Sequence, residues 1–181
     1  MQSTLLPALL LACLATATAA QEPDAAYPRP ADVETIDGIV AAFFDVVSGP
    51  AGSTPDRARD ESLHYPGARI VMSGGGGQSR LQAMDVAGYH ERYGGVRPSA
   101  FYEREIHRET LRFGSIATVW STYAASATPD GTPMFRGISN LHLVHDGTRW
   151  WIAGWTDQRE TPDHPLPARF LPPVDPGSAT R

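Results

Sequence analysis

The sequence has little cysteine and no excess of positive charge. Its 181 residues include one cysteine, Cys13, so an intramolecular disulfide framework is excluded. Lysine and arginine together number 15 against 20 aspartates and glutamates, which gives a formal net charge of −5. Nucleic acids and anionic membrane surfaces prefer basic partners, so neither is expected to bind this protein.

Charged side chains are also missing from the first twenty residues, MQSTLLPALLLACLATATAA. An apolar run from Leu5 to Leu14 is followed by small residues, which is typical of a signal peptide and too short for an integral membrane span. We therefore expect cleavage after Ala19 or Ala20 and a periplasmic or secreted protein. In an alternative interpretation, Leu10 to Cys13 resembles a bacterial lipoprotein box, which would make Cys13 a lipid anchor.

Several catalytic motifs are absent as well. The sequence contains no Gly-x-Ser-x-Gly and no His-x-x-x-His, and Gly74 to Gly77 are not followed by Gly-Lys-Ser/Thr. Glu103, Glu105 and His107 alternate and could in principle gather a divalent metal, but such a row is typical of a solvated sheet face. The sequence therefore predicts no metal and no cofactor.

The remaining pattern predicts one domain between two tails. Residues 21–31 are a proline-containing flexible leader, 32–160 form the domain, and 161–181 are a proline-rich tail. Helices are predicted from an Asp32 cap to Val47, over 56–63, and over 86–93 after an Asp85 cap. Strands are predicted over 68–73, 78–84, 99–112, 116–126, 135–145 and 149–158. Helices followed by strands indicate an α+β fold, with N-terminal helices packed on a curved, mainly antiparallel sheet.

The last two strands flank Asp146-Gly147, which favours a tight hairpin turn. A turn centred there places Leu143 opposite Trp150, on a core face shared with Leu141 and Ile152. The opposite face then carries the following side chains: Arg136, Asn140, His142, Trp151, Trp155 and Asp157. On that face Arg136 would lie opposite Asp157, as a structural ion pair.

A turn at Gly114-Ser115 would likewise define the register of the two strands that flank it. A turn there places His107 opposite Thr122 and Glu105 opposite Ala124. One side of the strand then carries Glu103, Glu105, His107 and Glu109. A β-bulge would shift every such pairing by one residue.

The order of elements over residues 32–160 resembles the nuclear transport factor 2-like superfamily, which includes ketosteroid isomerase and SnoaL-like proteins. The segments FYEREI (101–106), RFGSIATVWSTYA (112–124) and RGISNLHLVHDGTRWWIAGW (136–155) are similar to a bacterial subgroup with no settled activity. Its last strand usually ends in Trp-Asp-x-Glu-Arg, whereas this chain has WTDQRE at 155–160. The resemblance implies a cone-shaped half-barrel that holds a small, mostly apolar ligand, often in a homodimer joined through the sheet. It implies no single chemistry.

Our first functional hypothesis is an exported protein that binds a small apolar molecule in the cone. The alternatives are a cofactor-independent lyase, isomerase or hydrolase with a histidine or carboxylate base, and a non-catalytic dimeric interaction module. The catalytic candidates are His64, Glu105 and Asp157. The candidates for a ligand pocket or partner face are Tyr65, Tyr89, Trp120, Arg136, Asn140, His142 and Trp155.

Overall fold

The structure is a computed structural model that describes residues 26–73 and 81–173. The predicted signal peptide with Cys13, the residues Gly74 to Gly77 and the end of the proline-rich tail lie outside the described residues. The α-helices are α1 (Pro30–Val33), α2 (Ile36–Val46), α3 (Arg57–Leu63) and α4 (Val86–Tyr93). The strands are β1 (His64–Ser73), β2 (Gln82–Asp85), β3 (Tyr102–Phe113), β4 (Ile116–Ser126), β5 (Phe135–His145) and β6 (Trp150–Arg159), and a 3-10 turn spans Ala168–Phe170.

The capping residues explain where the helices begin. Asp85 accepts a hydrogen bond from the backbone N–H group three residues later, as predicted, and Asp56, the first residue of the predicted helix over 56–63, caps α3 in the same way. The prediction of an Asp32 cap is wrong, because the first helix is divided and Thr35 caps α2 through the N–H of Gly38, at 2.9 Å. Asp32 is buried and binds the guanidinium of Arg59 instead, at 2.7 Å.

The six strands form one curved, open sheet in the order β2-β1-β6-β5-β4-β3. Neighbouring strands are antiparallel except for β1 and β6, which are parallel. The α+β class with a mainly antiparallel sheet is therefore confirmed. β1 begins at His64, four residues before the predicted start. The returning strand β2 spans Gln82–Asp85, and residues 78–80 of the predicted strand lie outside the described residues.

The β5–β6 hairpin has a longer turn and a different register from those predicted. Asp146 accepts hydrogen bonds from the N–H groups of Thr148 and Arg149, so four residues separate the strands and His145 pairs with Trp150. A bulge at residue 153 then shifts the register again.

This bulge corrects the predicted faces. Leu141, Leu143, Trp150 and Ile152 are buried in the core, as predicted. The placement of Trp155 and Asp157 on the opposite face is wrong, because they pair with Leu141 and Ser139 and are buried with the core side. Arg136 does not pair with Asp157; it binds Glu160, at 2.9 Å.

A second bulge, at residue 106 of β3, corrects the predicted acidic row. His107 does pair with Thr122, but Glu105 pairs with Tyr123 instead of Ala124. The bulge reverses the alternation, so Glu103 and Glu105 lie on the inner face with Tyr123. His107 and Glu109 stay on the outer face. The four residues therefore do not share one side.

The main core lies between α2 and the inner face of the sheet. Ile39, Val40, Phe43 and Phe44 are buried against strand residues such as Leu141. Their 3.6-residue spacing places them on one stripe of the helix. Because α2 covers only part of the sheet, space remains between its C-terminal end, α4 and the strands.

The described part of the tail folds back onto the outer face of the sheet. The ring of Phe170 stacks on Trp120 with 5.5 Å between centroids, and Thr122 Oγ1 donates a hydrogen bond to the Phe170 carbonyl at 2.7 Å. This part of the predicted loose tail is therefore an ordered strap. Over residues 26–73 and 81–173, no helix has the length and apolarity needed to cross a membrane.

Candidate active site

A cavity of about 480 Å³ opens between α2, α4 and the inner face of the sheet. Its size lies within the usual range for small-molecule sites. Aromatic rings form much of its wall, and Trp155 contacts Phe43 and Tyr89 edge to face at 5.3 and 5.7 Å. The ionisable side chains of its lining are Asp60, Tyr89, Arg92, Tyr93, Arg97, Glu103, Tyr123, Asp157 and Arg159.

Asp157 lies on the sheet wall, in β6, beyond the bulge that turns it inward. Ser139 Oγ donates a hydrogen bond to Asp157 Oδ2 at 3.2 Å. Burial raises the pKa of Asp157 to about 6, although hydrogen bonds from Tyr123 and Ser139 and the charge of Arg159 oppose the shift. At neutral pH this carboxyl is mostly ionised and can accept a proton.

Glu103 lies on the same wall, in β3, the edge strand. Ser48 at the end of α2 anchors it through a hydrogen bond from the Glu103 N–H to Ser48 Oγ, at 2.9 Å. Burial raises the pKa of Glu103 to about 8; the charge on Asp157 raises it further and that on Arg159 lowers it. Among the described residues, no side chain hydrogen-bonds its carboxyl group. At pH 7 the group is mostly protonated and can donate a proton.

Two tyrosines add hydroxyl groups to this wall. Tyr123 is buried beside Asp157, and Tyr89 extends from α4 against Trp155. Burial raises the pKa of both phenols, so both stay protonated and act as hydrogen-bond donors. The wall therefore combines one ionised carboxyl group with several neutral donors.

A buried polar cluster lies next to the cavity. His90 Nε2 donates to Asp60 Oδ2 at 2.8 Å, and Asp60 itself reaches the cavity lining. His64 Nε2 accepts a hydrogen bond from Trp155 Nε1 at 3.2 Å, so His64 carries its proton on Nδ1, 2.9 Å from the Asp60 carbonyl. The cluster fixes the orientation of Trp155 in the cavity wall.

The structure brings three of the predicted site residues into the cavity lining: Asp157, Tyr89 and Trp155. The other two catalytic candidates lie outside it. His64 is buried behind Trp155, and Glu105 binds Arg108 at 2.6 Å and accepts a hydrogen bond from Ser121.

The remaining predicted site residues lie elsewhere on the sheet and its edges. Tyr65 is half exposed and packs edge to face on Trp151 at 5.7 Å. Arg136 is paired with Glu160, and Trp120 lies under the C-terminal strap. Asn140 and His142 lie on the outer strand face, pairing with Trp120 and Thr118 of β4.

Sequence reasoning missed Glu103 and Arg159 as members of the site. Glu103 is one of several groups in the sequence that could supply acid–base chemistry, and the bulge that turns it inward has no marker such as glycine in FYEREI.

The comparisons with solved structures concern the fold. A nuclear transport factor 2-like protein of unknown function from Silicibacter pomeroyi is 14% identical, with a TM-score of 0.48 over 68% of this chain and 92% of its own. One from Shewanella baltica is also 14% identical, with a TM-score of 0.47 over 70% and 98% of the two chains. A protein from Kribbella flavida described as a proposed ketosteroid isomerase is 17% identical, with a TM-score of 0.45 over 81% and 95%.

These solved structures are similar to the chain in overall fold only, at TM-scores below 0.5. No protein-family model and no curated protein sequence matches this chain. In this protein, helices α2 and α4 and the inner sheet face enclose the cavity described above.

Proposed function

We propose that this protein binds a small, mostly apolar molecule in the cone cavity. The observation that supports this proposal is the cavity of about 480 Å³, walled by aromatic side chains together with convergent polar groups. Convergent polar groups in an otherwise apolar pocket are typical of small-molecule sites.

Fluorescence titration with 2-naphthamide tests this binding, because Trp155 lies in the wall. Val47→Trp places a large side chain in the lining and should weaken binding at least tenfold. Val144→Trp, on the edge of a separate groove, is the matched control and should bind normally. Equal binding by both variants, or no binding of apolar probes by the wild-type protein, would contradict the proposal.

The second candidate function is proton-transfer catalysis without a cofactor, and the carboxyl pair favours it. Asp157 and Glu103 share one wall, with pKa values of about 6 and about 8. Two acids whose pKa values differ in this way provide a proton acceptor and a proton donor at the same pH. On a carbonyl compound, Asp157 would take the proton from the adjacent carbon while Glu103 gives its proton to the oxygen, which yields the enol.

Deuterium exchange tests the catalytic candidate directly. The protein should accelerate exchange at the carbons beside the carbonyl of 2-tetralone in D2O, as measured by NMR. Asp157→Asn should abolish the acceleration, and Glu103→Gln should lower it about 100-fold. Glu105→Gln, outside the lining, should leave it unchanged. No acceleration by the wild-type protein with any enolisable probe that binds would exclude this candidate.

Export and dimerisation are further parts of the proposal. The signal-peptide pattern supports export, and mass spectrometry of the mature N-terminus would distinguish Gln21, a lipidated Cys13 and an uncleaved Met1. Exposed apolar side chains at the β3–β4 turn, with Phe113 84% and Leu111 74% exposed, support a dimer through the sheet. Light scattering should find a dimer that Phe113→Asp dissociates; a wild-type monomer would contradict this part.

A further inference from the structure

The open end of the cavity holds an arginine that has no acidic partner. Arg159 is the last residue of β6, and its guanidinium carbon lies 3.9 Å from the ring centroid of Phe135. Among the residues that the structure describes, no carboxylate lies within ion-pair distance of Arg159, whereas its neighbour Arg136 binds Glu160 at 2.9 Å. The ring holds the guanidinium in place and leaves its N–H groups available.

The charges around the cavity favour an anion. Three arginines line it, Arg92, Arg97 and Arg159. Of the three acids in the lining, Asp60 accepts a hydrogen bond from His90. Burial raises the pKa of Glu103 to about 8, so Glu103 is mostly neutral at pH 7. The cavity lining therefore carries more positive than negative charge, although the whole protein is acidic.

The arrangement of apolar and charged groups defines the shape of the anion. The inner part of the cavity is formed by buried rings such as Phe43 and Trp155, whereas Arg92 and Arg159 are exposed at its mouth. The chain contains arginine but no lysine, and a guanidinium binds a carboxylate through two parallel hydrogen bonds. A monoanion is favoured over a dianion, because the negative charge of Asp157 in the cavity wall would repel a second negative charge on the ligand.

We propose that the ligand of this cavity is a small organic carboxylate whose apolar body lies against the aromatic wall and whose carboxylate binds Arg159. This inference rests on the proposed function and names its ligand class. It assigns to Arg159 the role of a specificity residue. The carboxylate would be held at the mouth, leaving the rest of the molecule beside Asp157 and Glu103.

Calorimetric titration with naphthalene-2-carboxylate and its neutral isostere 2-naphthamide tests this inference at pH 7. The wild-type protein should bind the carboxylate at least tenfold more tightly, since a charge-assisted hydrogen bond is stronger than a neutral one. Arg159→Gln should abolish the preference and Arg159→Lys should retain part of it. Arg136→Gln, which removes a charge already paired with Glu160, is the control and should keep the full preference. Circular dichroism verifies that each variant is folded.

The outcomes separate this inference from the proposed function. Equal binding of both probes, or a preference that survives in Arg159→Gln, overturns the carboxylate assignment and leaves the cavity as a binding site. Tighter binding of 2-naphthyl phosphate than of the carboxylate also overturns the assignment. Failure of every probe, neutral or charged, overturns both proposals.

Discussion

At the scale of residues, Glu103 and Asp157 show how two similar acids acquire different properties on one wall. Burial raises the pKa of both carboxyl groups. Asp157 also receives hydrogen bonds from Ser139 and Tyr123, which stabilise its charged form, and no described side chain does the same for Glu103. The number of donors around each carboxyl group therefore separates the acceptor from the donor.

The raised pKa of Glu103 predicts the pH dependence of stability. In the folded protein this pKa is about 8, against 4.5 for the ordinary value, so the folded state binds more protons between these pH values. The free energy of unfolding should therefore fall as the pH rises from 4.5 through 8. Asp157 adds a fall of the same sign between pH 3.8 and about 6.

Urea unfolding at pH 6 and pH 8 measures this dependence with little contribution from Asp157. The fall in unfolding free energy between the two values should be smaller in Glu103→Gln than in the wild-type protein. Glu91→Gln, at an exposed position of α4, should keep the wild-type fall. Identical pH profiles for Glu103→Gln and wild type would show that Glu103 is not the titrating group.

The buried cluster around Asp60 predicts a large loss of stability on truncation. Asp60 is 3% exposed and accepts a hydrogen bond from His90 Nε2. Asp60→Ala leaves that buried donor without an acceptor and should cost about 3 kcal/mol in urea unfolding. Asp60→Asn keeps one acceptor oxygen and should cost less. A cost below about 1 kcal/mol for Asp60→Ala would mean that water replaces the lost contact.

At the scale of elements, two β-bulges determine which side chains reach the cavity. The bulge in β6 turns Trp155 and Asp157 inward, and the bulge in β3 does the same for Glu103. Each inserts one residue into a pattern of period two, which reverses every side chain beyond it. The alternating pattern correctly predicted the strands β4 and β5, and the Asp85 cap with helical spacing correctly predicted α4, because local propensity decides those elements. It could not predict the bulges, which depend on how the curved sheet closes on the helices.

Close contact between β1 and β6 predicts an effect at Gly154. A methyl group on Gly154 would lie 2.7 Å from the Arg69 carbonyl oxygen, on the backbone of the neighbouring strand. Gly154→Ala should therefore destabilise the fold by about 2 kcal/mol, measured by urea unfolding. Gly95→Ala is the matched control, because nothing lies within 4 Å of its added methyl group. Equal stability of the two variants would show that β1 moves away at no cost.

The C-terminal strap predicts a second effect at this scale. Phe170 is 8% exposed and stacks on Trp120 with an interplanar angle of 12°. Phe170→Ala should cost about 3 kcal/mol and change the fluorescence of Trp120. Met134→Ala, at a side chain that is 55% exposed, should cost little. If both truncations are equally mild, the strap does not stabilise the domain.

At the scale of the whole molecule, the sequence predicted the architecture better than the site. The order of helices and strands and the α+β class follow from hydrophobic periodicity, caps and turn residues, whereas the cone was implied by the resemblance. The site required knowledge of which residues meet across the sheet, and of the predicted candidates Asp157, Tyr89 and Trp155 reach the cavity. His64 and Glu105 have side chains suited to acid–base chemistry, but His64 is buried behind Trp155 and Glu105 is paired with Arg108, which the sequence does not reveal.

The proposed catalytic function requires that one cavity wall hold a proton acceptor and a proton donor at the same pH. Carbon-13 NMR of the labelled carboxyl groups, with Asp157→Asn and Glu103→Gln for assignment, measures both titrations in the folded protein. This arrangement predicts midpoints near 6 for Asp157 and near 8 for Glu103, each shifted when 2-naphthamide occupies the cavity. Midpoints at the ordinary values of 3.8 and 4.5, unchanged by the probe, would contradict it.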